Sequence, residues 1–389
     1  MHSGVETLRS ISEIEEIREF WMRMQWHPNS DIDFYQAVLK CLSSVVRPHV
    51  LVLWRDGVPQ AILVGRLEDS RLNIHFGYST IAGPANKTLV FVYGGVLGEP
   101  SSAECGLIMR TILGSLRAGE ADRVFFNHLR TDCALYDAVL HVPQFFSRDY
   151  CTPGQMHRAL TLPASFDDLR RSFTQRVRSN LRWEANRILK AHGGNVRIQC
   201  FARPEELEHM IQDCEKVAAQ TYQRGLGAGF RDSPLDRALV QWKADKGWLR
   251  SYILYIQDQP RAFWSGTLYR GTLHSDHMAY DPAYRKYAPG KYLMMRTIEA
   301  FCEQKGQCEV EIIDFGLGDA EYKRMLCDRT WLDASPSVFA PNLRGIALNA
   351  YRTPLMQLDL IGRRLLSSSL EARVKRAWRN RVAGREIES

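Results

Sequence analysis

The sequence predicts an α/β protein made of two similar domains in tandem, each with a mixed, mostly antiparallel sheet flanked by helices. Val58–Leu67 (VPQAILVGRL) resembles Gln259–Leu268 (QPRAFWSGTL), and Gly106–Ile112 (GLIMRTI) resembles Tyr292–Ile298 (YLMMRTI). Both matches occur in the same order along the chain, which indicates a repeated structural unit. Each half also shows helical periodicity followed by apolar strands and then a strand–loop–helix–strand unit.

Length and composition agree with a globular protein of about two domains. The chain has 389 residues, of which 45% are hydrophobic and 24% charged. A formal charge of +7 suits an anionic ligand such as a nucleotide or CoA, and we expect no specific nucleic-acid partner. Nine irregularly spaced cysteines without a C-x-x-C pair predict neither a disulfide framework nor a metal site, and reduced thiols favour a cytoplasmic location.

The N-terminus is polar and lacks the apolar segment of a signal peptide, and no run of about 18 apolar residues predicts a membrane span. In the first half, Asp56-Gly57 is a favourable hairpin turn. Ser101 and Glu104 have the spacing of a helix cap. The predicted elements are helices 12–23 and 31–42, strands 49–54, 60–67 and 89–95, a helix from 101 to about 116, and a strand at 122–129.

The second half repeats this order after a polar stretch, Ser147–Gln155, that contains Pro153-Gly154 and marks the predicted boundary. We therefore divide the chain into domains at 1–150 and 151–340 and a basic helical tail at 341–389. A basic amphipathic helix at about 369–381 is compatible with peripheral membrane contact. The predicted elements are a helical region at 164–192, helices 204–222 and 233–246, strands 251–256, 261–269 and 272–280, helix 291–305 and strand 309–315.

The joint between strand 272–280 and the following helix has the residues of a phosphate site. Backbone N–H groups and the helix dipole attract anions at a helix start. Gly290 lets the backbone approach a ligand closely, and Arg285, Lys286 and Lys291 add charge-assisted contacts. A solvated turn is the alternative, because Pro-Gly is common between a strand and a helix.

The next strand ends in Asp314–Gly318 (DFGLG), which is followed by Tyr322 and Lys323. Ligands of α/β sheets bind at the carboxyl ends of strands. Because the two strand ends belong to one β–α–β unit, we expect this segment and the joint to lie side by side. The sequence therefore predicts a ligand site at this edge of the sheet.

These motifs resemble those of a known family. Residues 280–301 (YDPAYRKYAPGKYLMMRTIEAF) and 311–326 (EIIDFGLGDAEYKRML) resemble the BioF2-like or CelD-type branch of the GNAT superfamily, which is related to the Fem-type aminoacyl transferases. The basic helix that contains FTQRVRSNLRWEANRILKAHGG resembles the R-x-x-L-R helix of that branch. The resemblance is strong from Phe166 to Trp331 and weaker from Glu15 to Leu140.

The joint departs from the superfamily pattern, because it has one glycine where Gln/Arg-x-x-Gly-x-Gly/Ala is usual. The corresponding segment of the first half, YGGVLGEPSSAECG, has no basic residue, and Glu99 and Glu104 would repel phosphate. We therefore expect the first domain to be a degenerate copy.

The resemblance implies two GNAT-like acyl-CoA N-acyltransferase domains, with acetyl-CoA or another acyl-CoA as cofactor. In the superfamily, a backbone N–H of the strand before the loop polarises the thioester carbonyl. The expected cofactor-binding residues are Met278, Tyr280, Arg285, Lys286, Ala288, Gly290, Lys291, Tyr292 and Lys323.

The expected catalytic residues are Asp314, Tyr322, His277 and Asp276. Tyr322 is expected to act as general acid, as a tyrosine near the thiol does in the superfamily. The general base stays open among His274, Asp276, His277 and Asp314. Strand alternation predicts that His274 and Asp276 share one face and that His277 lies on the other.

The resulting hypothesis is an N-acyltransferase that acts on an amine of a small-molecule or sugar acceptor, in exopolysaccharide or cell-envelope biosynthesis. One alternative is a Fem-type aminoacyl-tRNA-dependent transferase. Another is a non-catalytic, degenerate GNAT pair that serves as a polysaccharide-assembly factor.

Overall fold

The computed structural model describes residues 4–76, 79–221, 224, 229–304 and 309–365. Contacts divide these residues into two compact units, one of residues up to 155 together with those from 331 onward, and one of residues 156–330. The helix predicted at 369–381 lies outside the described residues. No helix of the described part is both long and apolar enough to span a membrane.

The first unit is built on one mixed sheet in the order β1-β3-β4-β7-β8-β17, with β2 paired to β4. Only β7 and β8 run parallel in it. Its helices are α1 (Ile11–Glu16), α2 (Arg18–Met24), α3 (Ile32–Cys41), α4 (Ser102–Arg117), α5 (Ala134–His141) and the C-terminal helix α12 (Leu343–Leu365). Its strands are β1 (Gly4–Leu8), β2 (Val45–Pro48), β3 (Val50–Arg55), β4 (Val58–Arg71), β5 (Ile74–Phe76), β6 (Ser79–Ile81), β7 (Ala85–Gly98), β8 (Arg123–Phe126), β9 (Leu129–Arg130), β16 (Arg329–Ala334) and β17 (Ser337–Phe339).

The second unit has its strands in the order β11-β12-β13-β14-β15-β10, and only β14 and β15 are parallel. Its strands are β10 (Gln155–Thr161), β11 (Val196–Phe201), β12 (Leu249–Ile256), β13 (Gln259–Tyr269), β14 (Thr272–Tyr280) and β15 (Ile312–Leu317). Its helices are α6 (Phe166–Ser172), α7 (Gln175–Ala191), α8 (Leu207–Ala218), α9 (Pro234–Asp245), α10 (Pro289–Glu303) and α11 (Glu321–Leu326).

Helices cover both faces of the second sheet. Successive side chains along a strand point to opposite faces, so neighbouring residues of β13 are buried against different helices. In β13, Trp264 is buried in the cluster that includes residues of α7 and α10. Its neighbour Phe263 is buried in the cluster that includes residues of α8. This two-sided burial holds β13 and β14 as a rigid frame for the site.

The internal repeats lie on equivalent elements in the two units. The Val58–Leu67 match lies in β4 and the Gln259–Leu268 match in β13, while the second pair of matches lies in α4 and α10. In each unit the chain then continues through a helix into a strand parallel to the preceding one. The predicted α/β fold with two tandem domains is confirmed.

Some boundaries differ from the predicted ones. The basic helical region at 164–192 is two helices, because Phe173 is extended and the Thr174 side chain caps α7 by accepting from the Val177 amide. Residues 331–340 pack with the first unit, because β17 pairs with β8. Helix α12 lies within the predicted helical tail at 341–389, but it belongs to the first unit and is not a separate tail. The sequence analysis does not predict strands β1, β10, β11 and β17.

Candidate functional site

Strands β14 and β15 separate from each other toward their carboxyl ends. They pair over only three positions, from Thr272 opposite Ile312 to His274 opposite Asp314. Strand β14 then continues to Tyr280, while β15 ends in a turn in which Gly316 and Gly318 have positive φ values of 67° and 102°. Beyond His274, β14 thus has no strand partner on this side among the described residues.

A β-bulge lies in β14 just beyond this point. Ser265 of β13 pairs with His277 and Gly266 pairs with Ser275, so Asp276 is the extra residue. Such a bulge changes the direction of the following side chains. The prediction that His277 lies on the opposite face from His274 and Asp276 is therefore wrong, and Asp276 and His277 both point away from the face of the sheet on which Ser275 and Met278 lie.

Contacts on both faces show this change. Ser275 accepts a hydrogen bond from Trp264 Nε1, and Met278 packs on the core cluster that contains Trp264. On the other face, the Asp276 carboxylate accepts hydrogen bonds from Lys243 Nζ at 2.8 Å and from the Thr267 hydroxyl at 2.7 Å.

The same face carries a second titratable group. Desolvation acts to raise the pKa of the Asp276 carboxyl, but the charge and hydrogen bond of Lys243 and the hydrogen bond from Thr267 together hold it below its usual value. The His277 ring lies 5.8 Å from that of Phe230, and burial lowers its pKa. Asp276 is thus engaged as a paired carboxylate, whereas His277 is neutral at pH 7 and suited to accept a proton.

Asp314 lies at the point of separation between two histidines. His157 Nε2 is 2.6 Å from its Oδ1 atom, and His274 Nδ1 is 3.4 Å from its Oδ2 atom. The Gly316 amide also donates to Oδ1 at 2.7 Å. Burial alone would raise the pKa of Asp314, but the hydrogen bonds from His157 and His274 outweigh it and hold the pKa well below its usual range.

This arrangement changes the interpretation of Asp314. A carboxylate that already accepts from two rings and an amide is a weak base, and it is suited to orient and charge-stabilise a histidine. Asp314 thus orients the His274 ring through Nδ1. Sequence reasoning missed His157, because it lies on β10, which was not predicted as a strand.

Lys323 is buried at the end of β15, with 7% of its surface exposed. Its ammonium donates to the carbonyl oxygens of Phe315 at 2.6 Å, Gly316 at 3.3 Å and Leu317 at 2.6 Å. A lysine has three N–H donors, and all three are directed at backbone oxygens. Lys323 therefore fixes the glycine turn and is not placed to contact a CoA phosphate as the sequence suggested.

Tyr322 is partly buried next to the same turn. Its ring lies 5.9 Å from that of Phe315, edge to face, and it packs on the core cluster between the sheet and α10. Burial raises the pKa of its hydroxyl to about 12. Tyr322 is thus fully protonated at neutral pH, as a general acid must be.

The joint forms an uncapped helix start. A 3-10 helix at Pro282–Tyr287 ends at Ala288, which has a left-handed conformation with φ 49°. Helix α10 then begins at Pro289 without a side-chain cap and without an acidic residue in its first turn. The amides of its first turn therefore have no side-chain partner, and such amides can bind an anion. Gly290 itself is buried, with the Tyr280 ring packed beside it.

The remaining predicted residues surround this helix start. Arg285 and Lys286 are exposed, and Lys286 Nζ lies 4.9 Å from the Tyr287 ring centroid. Lys291 forms an ion pair with Glu184 of α7 at 2.9 Å. Tyr280 is partly exposed at the end of β14. Tyr292 lies beneath the Arg296 guanidinium, 5.5 Å from the ring centroid.

The equivalent helix start in the first unit is closed to anions. Ser101 and Glu104 form a reciprocal capping box at the start of α4, and Arg55 pairs with Glu104. A carboxylate already occupies the position that a phosphate would take, which agrees with the expected degenerate copy.

Aromatic side chains also occupy the space where β7 and β8 stop pairing, after Phe91 opposite Phe126. There the Tyr93 ring lies 4.5 Å from His27 and 5.7 Å from His128. In the first unit these rings thus lie at the point that corresponds to the separation of β14 and β15.

Residues 175–324 match the model of the acetyltransferase (GNAT) domain, Acetyltransf_6. The second unit contains a GNAT domain. This GNAT domain includes β14, α10, β15 and α11. It therefore contains the separation of β14 from β15, the bulge at Asp276 and the uncapped start of α10. No curated protein matches the chain in sequence.

Several solved structures align with the chain, and FemX shares its fold. FemX aligns with a TM-score of 0.52 and 11% identity, over 85% of this chain and 96% of FemX. A tandem GNAT protein from the clavulanic acid biosynthesis pathway aligns with a TM-score of 0.48 and 9% identity, over 87% and 99% of the two chains. L-PGS from Bacillus licheniformis aligns with a TM-score of 0.45 and 13% identity, over 90% and 99%.

Proposed function

We propose that the GNAT domain transfers an acyl group from acyl-CoA to an amine of a small-molecule or sugar acceptor. The observation that carries this proposal is the edge of β14 that has no strand partner beyond His274 among the described residues, with a His–Asp–His cluster at one end and an uncapped helix start at the other. From His274 to Tyr280 the strand spans roughly 20 Å, at about 3.3 Å per residue. An extended pantetheine arm bound along this edge would connect a thioester near the bulge to a pyrophosphate at Gly290.

In this mechanism, the acceptor nitrogen attacks the thioester carbonyl carbon, a C–N bond forms, and the C–S bond breaks. Asp314 holds His274 through Nδ1, so that Nε2 takes the proton that the amine loses. A backbone N–H near the bulge polarises the carbonyl oxygen. Tyr322 donates its hydroxyl proton to the departing CoA thiolate.

His277 is the second candidate for the base, because it is neutral and lies three residues from His274. The paired carboxylate of Asp276 would instead orient an acceptor amine through its charge. An acceptor of exopolysaccharide or cell-envelope biosynthesis and membrane contact through the basic tail belong to the same proposal. They rest on the family resemblance and on the sequence of the tail.

The experiment combines binding with turnover. Calorimetry with acetyl-CoA and longer acyl-CoAs should give micromolar dissociation constants, and CoA thiol release should appear with a subset of a panel of amino sugars and amino acids. Both His274→Gln and Asp314→Asn should keep acyl-CoA binding and lower kcat by about 10²–10⁴-fold, the usual contribution of general-base catalysis. An exposed histidine of the first unit, changed in His141→Gln, is the control and should retain full activity.

Two results would redirect the assignment. Full activity of the His274 variant together with loss in His277→Gln would move the base to His277. Absence of binding to every acyl-CoA, with transfer from charged tRNA in a salt-dependent reaction, would favour the aminoacyl-tRNA-dependent alternative.

A further inference from the structure

A second cleft lies within the same unit, between α6, α7 and α10. Its volume is about 210 Å³, and none of the residues of the His–Asp–His cluster lines it. Aromatic and aliphatic side chains form part of its wall, and a planar or apolar group can pack on them. These side chains are Phe166, Phe173, Leu181, Tyr292 and Met295.

Positive charge predominates around this cleft. Five cationic side chains line it, against two carboxylates, Glu184 and Glu299. The cationic residues are Arg170, Arg178, Arg182, Lys291 and Arg296.

The two carboxylates are matched by Lys291 and Arg296, respectively, and Arg170 pairs with Asp167 outside the cleft. Arg178 donates to the Phe173 carbonyl oxygen. Among the described residues, neither Arg178 nor Arg182 has an acidic partner within ion-pair distance. The cleft thus presents two guanidinium groups whose charge is not compensated.

The cleft opens next to the uncapped helix start. Lys291 and Tyr292, in the first turn of α10, line its near end, and Glu299 lines its far end. These ends are roughly 12 Å apart along the helix, at 1.5 Å per residue. A ligand whose pyrophosphate lies at Gly290 can therefore extend into the cleft without crossing the sheet.

We infer that this cleft binds the 3′-phosphoadenosine end of CoA, with Arg182 and Arg178 on the 3′-phosphate and the adenine on the apolar wall near Tyr292. This inference rests on the proposed function. It specifies that the enzyme recognises its acyl donor by the 3′-phosphate of CoA. Guanidinium groups without an acidic partner are suited to a phosphate monoester, since they make charge-assisted and often bidentate contacts. The expected donor is therefore CoA that carries its 3′-phosphate.

The test uses calorimetry to measure the affinities of wild type and of Arg182→Ala for CoA and for 3′-dephospho-CoA. Wild type should bind CoA about tenfold more tightly than 3′-dephospho-CoA, the effect of one charge-assisted contact at a partly exposed site. In Arg182→Ala, affinity for CoA should fall about tenfold, while affinity for 3′-dephospho-CoA should stay within about twofold. Adenosine 3′,5′-bisphosphate should bind wild type and be displaced by CoA.

Arg176→Ala is the matched control. Arg176 lies on the same helix, is exposed, and does not line the cleft. The control should keep the preference for CoA, because it loses the same charge without losing the contact. Thermal melts of both variants should coincide with that of wild type, since both side chains are exposed.

Other outcomes separate this inference from the proposed function. Equal affinity of wild type for CoA and 3′-dephospho-CoA, or unchanged preference in Arg182→Ala, would overturn the inference while acyl transfer stands. Turnover with acetyl-pantetheine, which lacks the nucleotide, should be unaffected by Arg182→Ala if the inference is right. No binding of either CoA and no turnover with acetyl-pantetheine would overturn both proposals.

Discussion

Replacing Lys323 by Met tests whether this residue holds the turn at the end of β15 or contacts a ligand phosphate. Met keeps the length of the side chain and removes the charged donor. The three backbone oxygens that lie between 2.6 and 3.3 Å from Lys323 Nζ would then lose this hydrogen-bond donor. A hydrogen bond from a charged donor contributes roughly 1.5–3 kcal/mol.

The stabilisation from these three hydrogen bonds is reduced by the cost of burying an ammonium group. The same burial lowers the pKa of Lys323. We therefore expect Lys323→Met to lower the free energy of unfolding of the second unit by about 3 kcal/mol. Urea denaturation followed by tryptophan fluorescence measures this change. Lys190→Met, at an exposed position of α7, should change stability by less than about 0.5 kcal/mol.

The opposite pattern would refute the structural role. If Lys323→Met unfolds at the wild-type urea concentration but binds acyl-CoA much more weakly, the ammonium serves the ligand and not the turn. The structural role predicts the following result. Lys323→Met loses stability, and its acyl-CoA affinity, measured at a temperature where the variant is folded, does not show a larger loss.

Two further predictions concern the first unit and the joint. Burial lowers the pKa of His49 to about 4, so below pH 6.5 the unfolded chain binds a proton that the folded protein does not. About 2 kcal/mol of stability should be lost between pH 7 and pH 5, and urea titrations of His49→Gln should lack this loss; an equal slope in both proteins would exclude His49 as its source. In Gly290→Ala, the added methyl group meets Tyr280 Cδ1 at 3.4 Å, an ordinary contact, so stability should hold or rise by about 0.5 kcal/mol. Calorimetry should nevertheless show acyl-CoA affinity reduced about tenfold, and unchanged affinity would mean that no phosphate approaches this backbone.

The tandem fold could be predicted because its signals are local. The repeats at Val58–Leu67 and Gln259–Leu268 carry the apolar pattern of equivalent strands, and both lie in the third strand position of their sheets. Ser101 and Glu104 are three residues apart and form the capping box that their spacing predicts. Such features depend on neighbours in sequence, so the chain itself displays them.

The parts that sequence reasoning missed depend on partners far along the chain. His157 is 157 residues from Asp314, and no periodicity in β10 indicates that contact. The bulge at Asp276 arises from the register between β13 and β14, and a sequence with regular alternation does not reveal an extra residue. The sequence predicts Lys323 as a phosphate ligand, because its burial becomes visible only when the turn at Gly316 is folded.

The most direct test of the donor site is a crystal structure with a non-hydrolysable acetyl-CoA analogue. The pantetheine arm should lie along β14 where it separates from β15, with the carbonyl oxygen near a backbone N–H beside the Asp276 bulge and the pyrophosphate at Gly290. An analogue bound in the first unit beside Tyr93, or a pantetheine arm away from β14, would contradict the assignment of the second unit as the catalytic domain.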